Sequence, residues 1–407
     1  ISPHDKNIID EVNKINDISE IKFQGNPDLI EMIGSSVDEI YLKHIHELSL
    51  SPEAIVRQKD FKIVFTPIHG TGATLVPKVL KRFGFDNVYM VDEQSSPDGN
   101  FPTVKSPNPE ESAALELAMN MATNINADLV MATDPDSDRV GIAIRKDDEM
   151  ILLNGNQAAS LLIYYLITKW KENNKLSGNE YIVKTIVTSE LLAKIAEKED
   201  VEHFDVLTGF KYIADIIKKL EGKKIFIGGG EESYGYLVGD FVRDKDAIIS
   251  CAMIAETAAW AADKGIGLYD LLIDIYKEFG LHKEKLVSVV RKGKTGAEDI
   301  QAMMKNFREN PPESLGNSDV IEIKDYQSGV SVDTTTGKSE DINLPKSNVL
   351  QFFTEDGGKV SVRPSGTEPK IKFYFGVVSP LESKEEFEQV DRRLEEKINT
   401  YVKELGL

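Results

Sequence analysis

The feature that most constrains this chain is a cluster of aspartates between two apolar segments. Every second residue from Asp134 to Asp138 is an aspartate, and Arg139 follows at once. The apolar run 127–131 before the cluster predicts a buried strand, and the run 140–144 after it predicts a second one. Folds of the α/β class place their ligands at loops that follow strands. The segment therefore favours an α/β fold with its chemistry at this loop.

Three carboxylates this close together repel one another unless a cation holds them. Hard oxygen ligands of this kind suit Mg²⁺, with a substrate phosphate or another oxyanion completing the shell. Asp134, Asp136 and Asp138 are therefore candidate metal ligands. The alternative is an acidic surface turn, and the flanking strands and Arg139 weigh against it.

Composition excludes several classes of protein. The chain has 407 residues and a formal charge of −20, which disfavours nucleic acid as a partner. No apolar run approaches the length of about 18 residues that a membrane span needs. The single cysteine, Cys251, rules out an intrachain disulfide framework and fits a reducing cytoplasm. We expect a cytoplasmic protein of roughly two to four domains, with no membrane partner.

Strand and helix patterns alternate along most of the chain. The order β-α-β-α-β between residue 61 and the aspartate cluster predicts a mostly parallel sheet, and a second set begins near residue 153. Short strands and a charged helix near the C-terminus, over 318–407, predict a smaller α+β domain. The N-terminal residues 1–46 predict helices with no strand to pack against, as in the tail of a domain.

A loop between two strands of the last domain has the composition of a phosphate site. Arg363 supplies a bidentate donor, Ser365 and Thr367 supply hydroxyls, and Gly366 exposes its amide. The alternative is a hairpin turn, bounded by proline and glycine, whose polar residues have no ligand.

Three further strand ends carry polar residues. Glu231 and Ser233 stand at i and i+2, so in an extended segment they point to one side and can hold sugar hydroxyls; a helix-capping loop is the alternative. Lys211 brings a cation to a strand end, where a solvated lysine is the simpler interpretation. His69 lies in a glycine-containing loop before a helix, where it contacts a substrate or bonds to its own loop.

The order of these loops resembles that of the α-D-phosphohexomutase family, the phosphoglucomutase/phosphomannomutase enzymes. The motifs are Thr-Asp-Pro-Asp-Ser-Asp-Arg at 133–139, Gly-Glu-Glu-Ser-Tyr-Gly at 230–235 and Arg-Pro-Ser-Gly-Thr-Glu-Pro at 363–369. The resemblance implies three related α/β domains and a smaller fourth, with the active site between them. The implied division is a remnant of the first domain (1–48), a second domain with the metal loop (49–151), a third with the sugar loop (152–290), a linker (291–317) and a fourth with the phosphate loop (318–407).

The resemblance also implies a reaction and roles for the residues. An enzyme phosphoserine would exchange its phosphoryl group with a hexose 1- or 6-phosphate through a bisphosphorylated sugar, with one Mg²⁺ per site and glucose 1,6-bisphosphate as activator. The enzyme would be a monomer or a homodimer. The implied roles are metal ligands (Asp134, Asp136, Asp138), catalytic groups (Arg139, Lys211, His69), sugar contacts (Glu231, Ser233) and contacts to the non-reacting phosphate (Arg363, Ser365, Gly366, Thr367).

The chain departs from the family pattern in one respect. The family's serine lies in a Thr-Ala-Ser-His-Asn-Pro type of loop, which is absent from these 407 residues. The segment Ser2-Pro3-His4-Asp5 looks like the part that follows this loop. We therefore expect a chain that lacks the first part of the first domain.

Two other functions stay open at this point. Asp134-x-Asp136 at a strand end is also the signature of haloacid-dehalogenase-like phosphatases, although Asp138 stands where threonine or valine is usual. A catalytically inactive phosphosugar-binding fragment is the other alternative. The sequence leaves the choice among glucose, mannose and pentose phosphates open.

Overall fold

The computed structural model of the protein describes residues 3–291, 296–366 and 369–407. Three sheets follow one another along the chain, each with helices packed against it. They confirm the expectation of a mixed α/β protein with two α/β units and a C-terminal α+β unit. Among the described residues, no helix combines the length and the apolar character that a bilayer span requires.

The N-terminal segment is helical and largely exposed until its second helix. Its helices are α1 (His4–Val12), α2 (Gly34–His46) and α3 (Pro52–Arg57). Leu42 and Ile45 bury one side of α2, whereas α1 has no buried residue. Residues 49–51 connect α2 to α3, and their hydroxyl and amide groups donate to the buried carboxylate of Glu256.

The first sheet has the strand order β2-β1-β3-β4-β5. Its elements are β1 (Lys62–Thr66), α4 (Gly72–Phe83), β2 (Asn87–Met90), α5 (Ser112–Ile125), β3 (Leu129–Thr133), β4 (Val140–Lys146) and β5 (Glu149–Leu152). β1 is parallel to β2 and β3, but β4 pairs antiparallel with both β3 and β5. The sheet is therefore less parallel than the sequence predicts, because the short loop 134–139 can only return the chain as a hairpin.

The second sheet repeats this arrangement with the order β7-β6-β8-β9. Its elements are α6 (Gly155–Glu172), β6 (Glu180–Thr185), α7 (Leu191–Lys198), β7 (Glu202–Val206), α8 (Phe210–Leu220), β8 (Ile225–Gly230), β9 (Tyr236–Val238), α9 (Ala247–Asp263) and α10 (Leu268–Phe279). β6 is parallel to β7 and β8, and β9 again returns antiparallel. The loop 231–235 thus occupies the place in this sheet that loop 134–139 has in the first.

The two sheets are joined by α9. Fourteen of its residues are buried, and the helix contacts α4, β3 and β4 of the first unit as well as α6 and β9 of the second. An alanine-rich helix permits such close approach on several sides because its side chains are small. This packing brings the strand ends that carry the two loops towards each other.

The third sheet is wholly antiparallel. Its elements are β10 (Leu281–Val290), α11 (Gly296–Glu309), β11 (Ser314–Leu315), β12 (Ser318–Asp325), β13 (Val330–Asp333), β14 (Ser339–Asp341), β15 (Leu350–Thr354), β16 (Lys359–Pro364), β17 (Lys370–Ser379) and α12 (Phe387–Glu404). β10 pairs with β17 along its whole length, although it falls in the range that the sequence assigns to the third domain. α11, in the range assigned to the linker, packs on β16 and β17.

Candidate functional site

The acidic loop begins where the fully buried strand β3 ends. Asp134 is only 1% exposed, and its Oδ1 accepts hydrogen bonds of 3.0 Å from the amides of Asp138 and Arg139. Its Oδ2 accepts a 2.7 Å bond from Nε of Arg139. These three donors hold the carboxylate in one orientation at the strand end.

The three aspartates have the geometry of a metal site. One oxygen from each of Asp134, Asp136 and Asp138 can be chosen so that all three lie within 4.8 Å of one another, a grouping found once among the described parts of the chain. Burial raises the pKa of Asp134 to about 6, although hydrogen bonds from Arg139 oppose the shift. A bound divalent cation would offset the cost of burying the ionised carboxylate. A set of ligands made only of carboxylates fits Mg²⁺.

Arg139 extends from the acidic loop to the segment before α5. Its Nη1 donates to Oδ1 of Asn108 at 3.3 Å and to Oε1 of Glu110 at 3.2 Å. The guanidinium is therefore fixed between Asp134 on one side and Glu110 on the other. A cation held in this way can stabilise charge on a phosphoryl group that approaches the aspartates.

The glycine loop before α4 packs directly on the acidic loop. The amide of Thr71 donates to the carbonyl of Pro135 at 2.9 Å, and the hydroxyls of Thr71 and Ser137 lie 3.1 Å apart. A Cβ atom on Gly70 would lie 2.4 Å from Cα of Pro135. Only glycine therefore allows the two loops to approach this closely.

His69 supports the loop and does not face an open site. It is 4% exposed, with Nδ1 at 3.2 Å from the carbonyl of Ser96 and Nε2 at 2.9 Å from the hydroxyl of Thr103. A carbonyl only accepts, so Nδ1 carries the proton and Nε2 accepts from Thr103. Both ring nitrogens are therefore engaged within the protein, which gives His69 a structural contact, and its catalytic role stays a prediction.

The sugar loop connects β8 to β9. Oε1 of Glu231 accepts a 2.8 Å bond from the amide of Gly209, and Oε2 of Glu232 accepts from the hydroxyls of Thr185 and Thr188 at 3.1 and 3.2 Å. Ser233 lines a cavity of about 220 Å³. The two glutamates are thus held by neighbouring strand ends, while the serine faces open space.

Direct bonds join the sugar loop to the acidic loop. The amide of Val140 donates to the carbonyl of Tyr234, and the amide of Ala247 donates to the carbonyl of Ser137, both at 3.0 Å. Nζ of Lys245 lies 2.6 Å from Oδ2 of Asp138. The candidate metal and sugar positions therefore form one connected structure.

Lys211 lies in the first turn of α8, next to the sugar loop. Its side chain is exposed, and Nζ is 5.1 Å from the ring centroid of Tyr212. Gly209, two residues earlier, donates to Glu231. The turn thus places an exposed cation near the sugar loop.

The phosphate loop connects β16 to β17. Arg363, Pro364, Ser365, Lys370 and Lys372 line a cavity of about 210 Å³. Arg363 and Lys372 are directly opposite each other on the two strands, and with Lys370 they make three cationic residues around this cavity.

Gly366 and Thr367 are the other two predicted phosphate contacts. Gly366 is exposed, and a Cβ atom there would meet nothing within 4 Å. Thr367 lies outside the described residues.

A second cavity joins the sugar and phosphate loops. The cavity lined by Ser233 is also lined by Glu110, Lys372 and Tyr374, and Lys372 belongs to the phosphate cavity as well. Burial and the nearby Glu232 raise the pKa of Tyr374, whereas Arg363 acts to lower it, so Tyr374 lies between the two loops. Charged groups from three sheets therefore meet around one cleft.

Reasoning from the sequence missed several residues of the candidate site. Glu110, Lys372 and Tyr374 line the cleft, and Lys245 contacts Asp138 of the acidic loop. Lys370, Lys372 and Tyr374 alternate along β17, and this spacing places them on one face of a strand. That pattern was readable in the sequence. Glu110 and Lys245 carry no such signal, because each comes from a loop whose position depends on the packed fold.

Comparison with known families finds matches along most of the chain. Family models of the phosphoglucomutase/phosphomannomutase α/β/α domain II, α/β/α domain III and C-terminal domain match residues 39–147, 154–279 and 287–393. A phosphoglucomutase of Staphylococcus haemolyticus is 36% identical over 383 residues, which cover 94% of this chain and 68% of the relative. A phosphoglucomutase of Staphylococcus aureus is 37% identical over 87% of this chain and 63% of the relative. The chain thus spans about two thirds of the length of these relatives.

Solved structures show the same fold. A Paramecium phosphoglucomutase, pp63/parafusin in its open form, has a TM-score of 0.61 at 18% identity, covering 85% of this chain and 58% of that one. A phosphoglucomutase/phosphomannomutase family protein of Burkholderia thailandensis has a TM-score of 0.59 at 16% identity, covering 91% and 64%. By its three matched domains and its relatives, this chain belongs to the phosphoglucomutase/phosphomannomutase family.

Proposed function

We propose that the protein to which this chain belongs is a phosphohexose mutase. It interconverts the 1- and 6-phosphates of a hexose, glucose or mannose, through an enzyme phosphoserine and a bisphosphorylated sugar. The observation that carries the proposal is the cavity lined by Glu110, Ser233 and Lys372, one residue from each of the three units. Glu110 accepts a bond from Arg139 of the acidic loop, and Lys372 also lines the phosphate cavity. Phosphoryl transfer depends on such positioning and charge neutralisation.

The acidic loop holds the reacting phosphoryl group in this proposal. Asp134, Asp136 and Asp138 would bind Mg²⁺, which supplies charge neutralisation when bound. Arg139, held by Asp134 and Glu110, would stabilise charge on the transferred group. Lys211 is a further cation that can reach the cleft because its side chain is exposed.

The other two loops bind the rest of the substrate. Ser233 faces the cleft, and Glu231 keeps an oxygen for sugar hydroxyls while the other accepts from Gly209. Arg363, Ser365, Gly366 and Thr367 bind the phosphate that does not react, with Lys372 as an additional cation. Glucose 1,6-bisphosphate, which carries a phosphate at each end, fits both ends of the cleft and would serve as activator.

Further parts of the proposal concern the whole protein. The catalytic serine and the domain boundaries at residues 48, 151, 290 and 317 stay predictions. So do a cytoplasmic location, action as a monomer or homodimer, and the absence of nucleic acid and membrane partners.

A phosphatase of the haloacid-dehalogenase type would instead use Asp134 as its nucleophile. The carboxylate of Asp134 is 1% exposed and accepts three hydrogen bonds, so an attack on phosphorus from either oxygen is obstructed. The geometry therefore favours a ligand over a nucleophile at this position.

The residue that becomes phosphorylated tests the proposal. We expect the complete protein, incubated with glucose 1,6-bisphosphate and digested, to carry its phosphoryl group on a serine by mass spectrometry. A phosphoryl group on Asp134 would replace the mutase with the phosphatase, and an unlabelled protein that still binds the sugar would favour a binding function without turnover.

A further inference from the structure

One face of the third sheet presents a row of polar side chains to the second unit. Lys359, Ser361 and Arg363 stand at i, i+2 and i+4 on β16, so they share a face. Their neighbours across the sheet are Gln351, which pairs with Ser361, and Lys372, which pairs with Arg363. A row of this kind in a sheet interior needs partners, since buried polar groups without hydrogen bonds are costly.

Lys359 finds its partners on the turn between β6 and α7. Its Nζ donates to the carbonyl of Ile186 at 3.0 Å, to the carbonyl of Thr188 at 3.1 Å and to Oε1 of Glu190 at 2.5 Å. The side chain is only 6% exposed. An ammonium group has three protons, and here each one has an acceptor in the second unit.

Gln351 contacts the same turn from the next strand. Its Nε2 donates to the carbonyl of Ile186 at 2.7 Å and to the hydroxyl of Ser361 at 2.8 Å. Oε1 accepts from the hydroxyl of Tyr326 at 2.6 Å. Both side chains that hold the turn therefore come from the third sheet and are themselves held in place.

The turn in its own sheet supports the sugar loop. The hydroxyls of Thr185 and Thr188 donate to Glu232, which lies between Glu231 and Ser233. A displacement of the turn would therefore move the two predicted sugar contacts.

The opposite end of β16 carries the predicted phosphate contact. Lys359 and Arg363 are four residues apart, which corresponds to about 14 Å along a strand. The strand thus links the turn behind the sugar loop to the phosphate loop as one rigid piece.

We propose that Lys359, assisted by Gln351, is a positioning residue that fixes the distance between the sugar loop and the phosphate loop. The inference rests on the proposed function, because it concerns a substrate that occupies both loops. Lys359 itself lies behind the loops and touches neither Ser233 nor Arg363. Without the Lys359 side chain each loop still forms, but the sugar loop and the phosphate loop are no longer held at a fixed distance.

Two ligands of different size distinguish a loss of alignment between the two loops from a loss of folded structure. Glucose 6-phosphate uses both loops, whereas inorganic phosphate uses the phosphate loop alone. We expect Lys359→Met in the complete protein to weaken glucose 6-phosphate binding about tenfold or more in calorimetry, in the range of coupling between sites. Inorganic phosphate binding should stay at its wild-type value.

Two comparison variants sharpen the test. Arg363→Ala should weaken both ligands, by about tenfold to hundredfold for one charge-assisted contact. Lys384→Met, which removes an exposed ion pair to Asp270 and leaves the 186–190 turn untouched, should change neither affinity.

Gln351→Leu keeps the inference testable if Lys359→Met fails to fold. It removes one donor to Ile186 while Lys359 stays, and it should weaken glucose 6-phosphate binding severalfold with inorganic phosphate unchanged. Unchanged glucose 6-phosphate binding in the folded variants, or equal losses for the two ligands, would overturn the positioning role. Failure of the wild-type protein to bind glucose 6-phosphate would contradict the proposed function instead.

Discussion

At the scale of single residues, the three aspartates of the candidate metal site differ in their burial and in their partners. Asp134 is fixed by three donors, Asp136 is exposed and Asp138 is paired with Lys245. Three carboxylates in these different settings remain close enough to share one cation. Asp136 is the member with the least support from the protein, so its charge is the one most available to a metal.

Asp136→Asn therefore provides the cleanest test of the metal site. The variant removes one negative charge and leaves the buried contacts of Asp134 in place, so the fold should be retained. We expect Mg²⁺ affinity, measured by calorimetry, to fall by about tenfold or more, since the loss concerns a charged ligand.

Asp148→Asn is the matched control for this measurement. It removes the same charge from an exposed position beyond β4, and it should leave Mg²⁺ affinity unchanged. Equal affinities in wild type and Asp136→Asn would remove Asp136 from the metal site.

The residue scale also shows what sequence can provide. Asp134, Ser233 and Arg363 belong to short motifs whose members are neighbours in the chain, so the motifs alone are enough to predict roles for them. Glu110 and Lys372 reach the cleft only through packing between sheets. The partners of His69 also come from another loop, at Ser96 and Thr103, so its local sequence does not reveal them, and its catalytic role stays a prediction.

At the scale of elements, the hairpin is the unit that carries each loop. β3 with β4, β8 with β9 and β16 with β17 are antiparallel pairs, and each presents one motif at its turn. The strand pattern of the sequence predicted the existence of most strands. The pattern did not predict β10, whose polar and apolar residues are mixed. β10 is held by pairing with β17, some ninety positions away in the chain.

Glu284 on β10 makes the contact between the second and third units sensitive to pH. Burial raises the pKa of this carboxyl from 4.5 to about 7, although a bond from Ser189 and the charge of Lys359 oppose the shift, and Glu190 adds to it. The folded state therefore disfavours the ionised form. Stability from this residue is present below pH 4.5 and is lost as pH rises to about 7.

Glu284→Gln removes this dependence because the amide stays neutral. We expect the free energy of unfolding of the variant, relative to wild type, to rise between pH 4.5 and pH 7 and to be constant above that range. Urea denaturation at a series of pH values measures the difference. A difference independent of pH would show that Glu284 ionises normally in the folded protein.

At the scale of the whole molecule, the chain combines three sheet units that together line one cavity, and it spans about two thirds of its relatives' length. The fold class and the order of the units could be predicted, since each unit has its own pattern of strands and helices. The relative placement of the units could not, because it depends on contacts such as those of α9 and Lys359.

The central claim is that the protein moves a phosphoryl group between two positions of one hexose. The most direct measurement is a coupled assay of the complete protein with glucose 1-phosphate, Mg²⁺ and a trace of glucose 1,6-bisphosphate. We expect that glucose 6-phosphate forms, that EDTA abolishes its formation, and that no inorganic phosphate is released. Release of inorganic phosphate without glucose 6-phosphate, or no conversion at all by the folded protein, would contradict it.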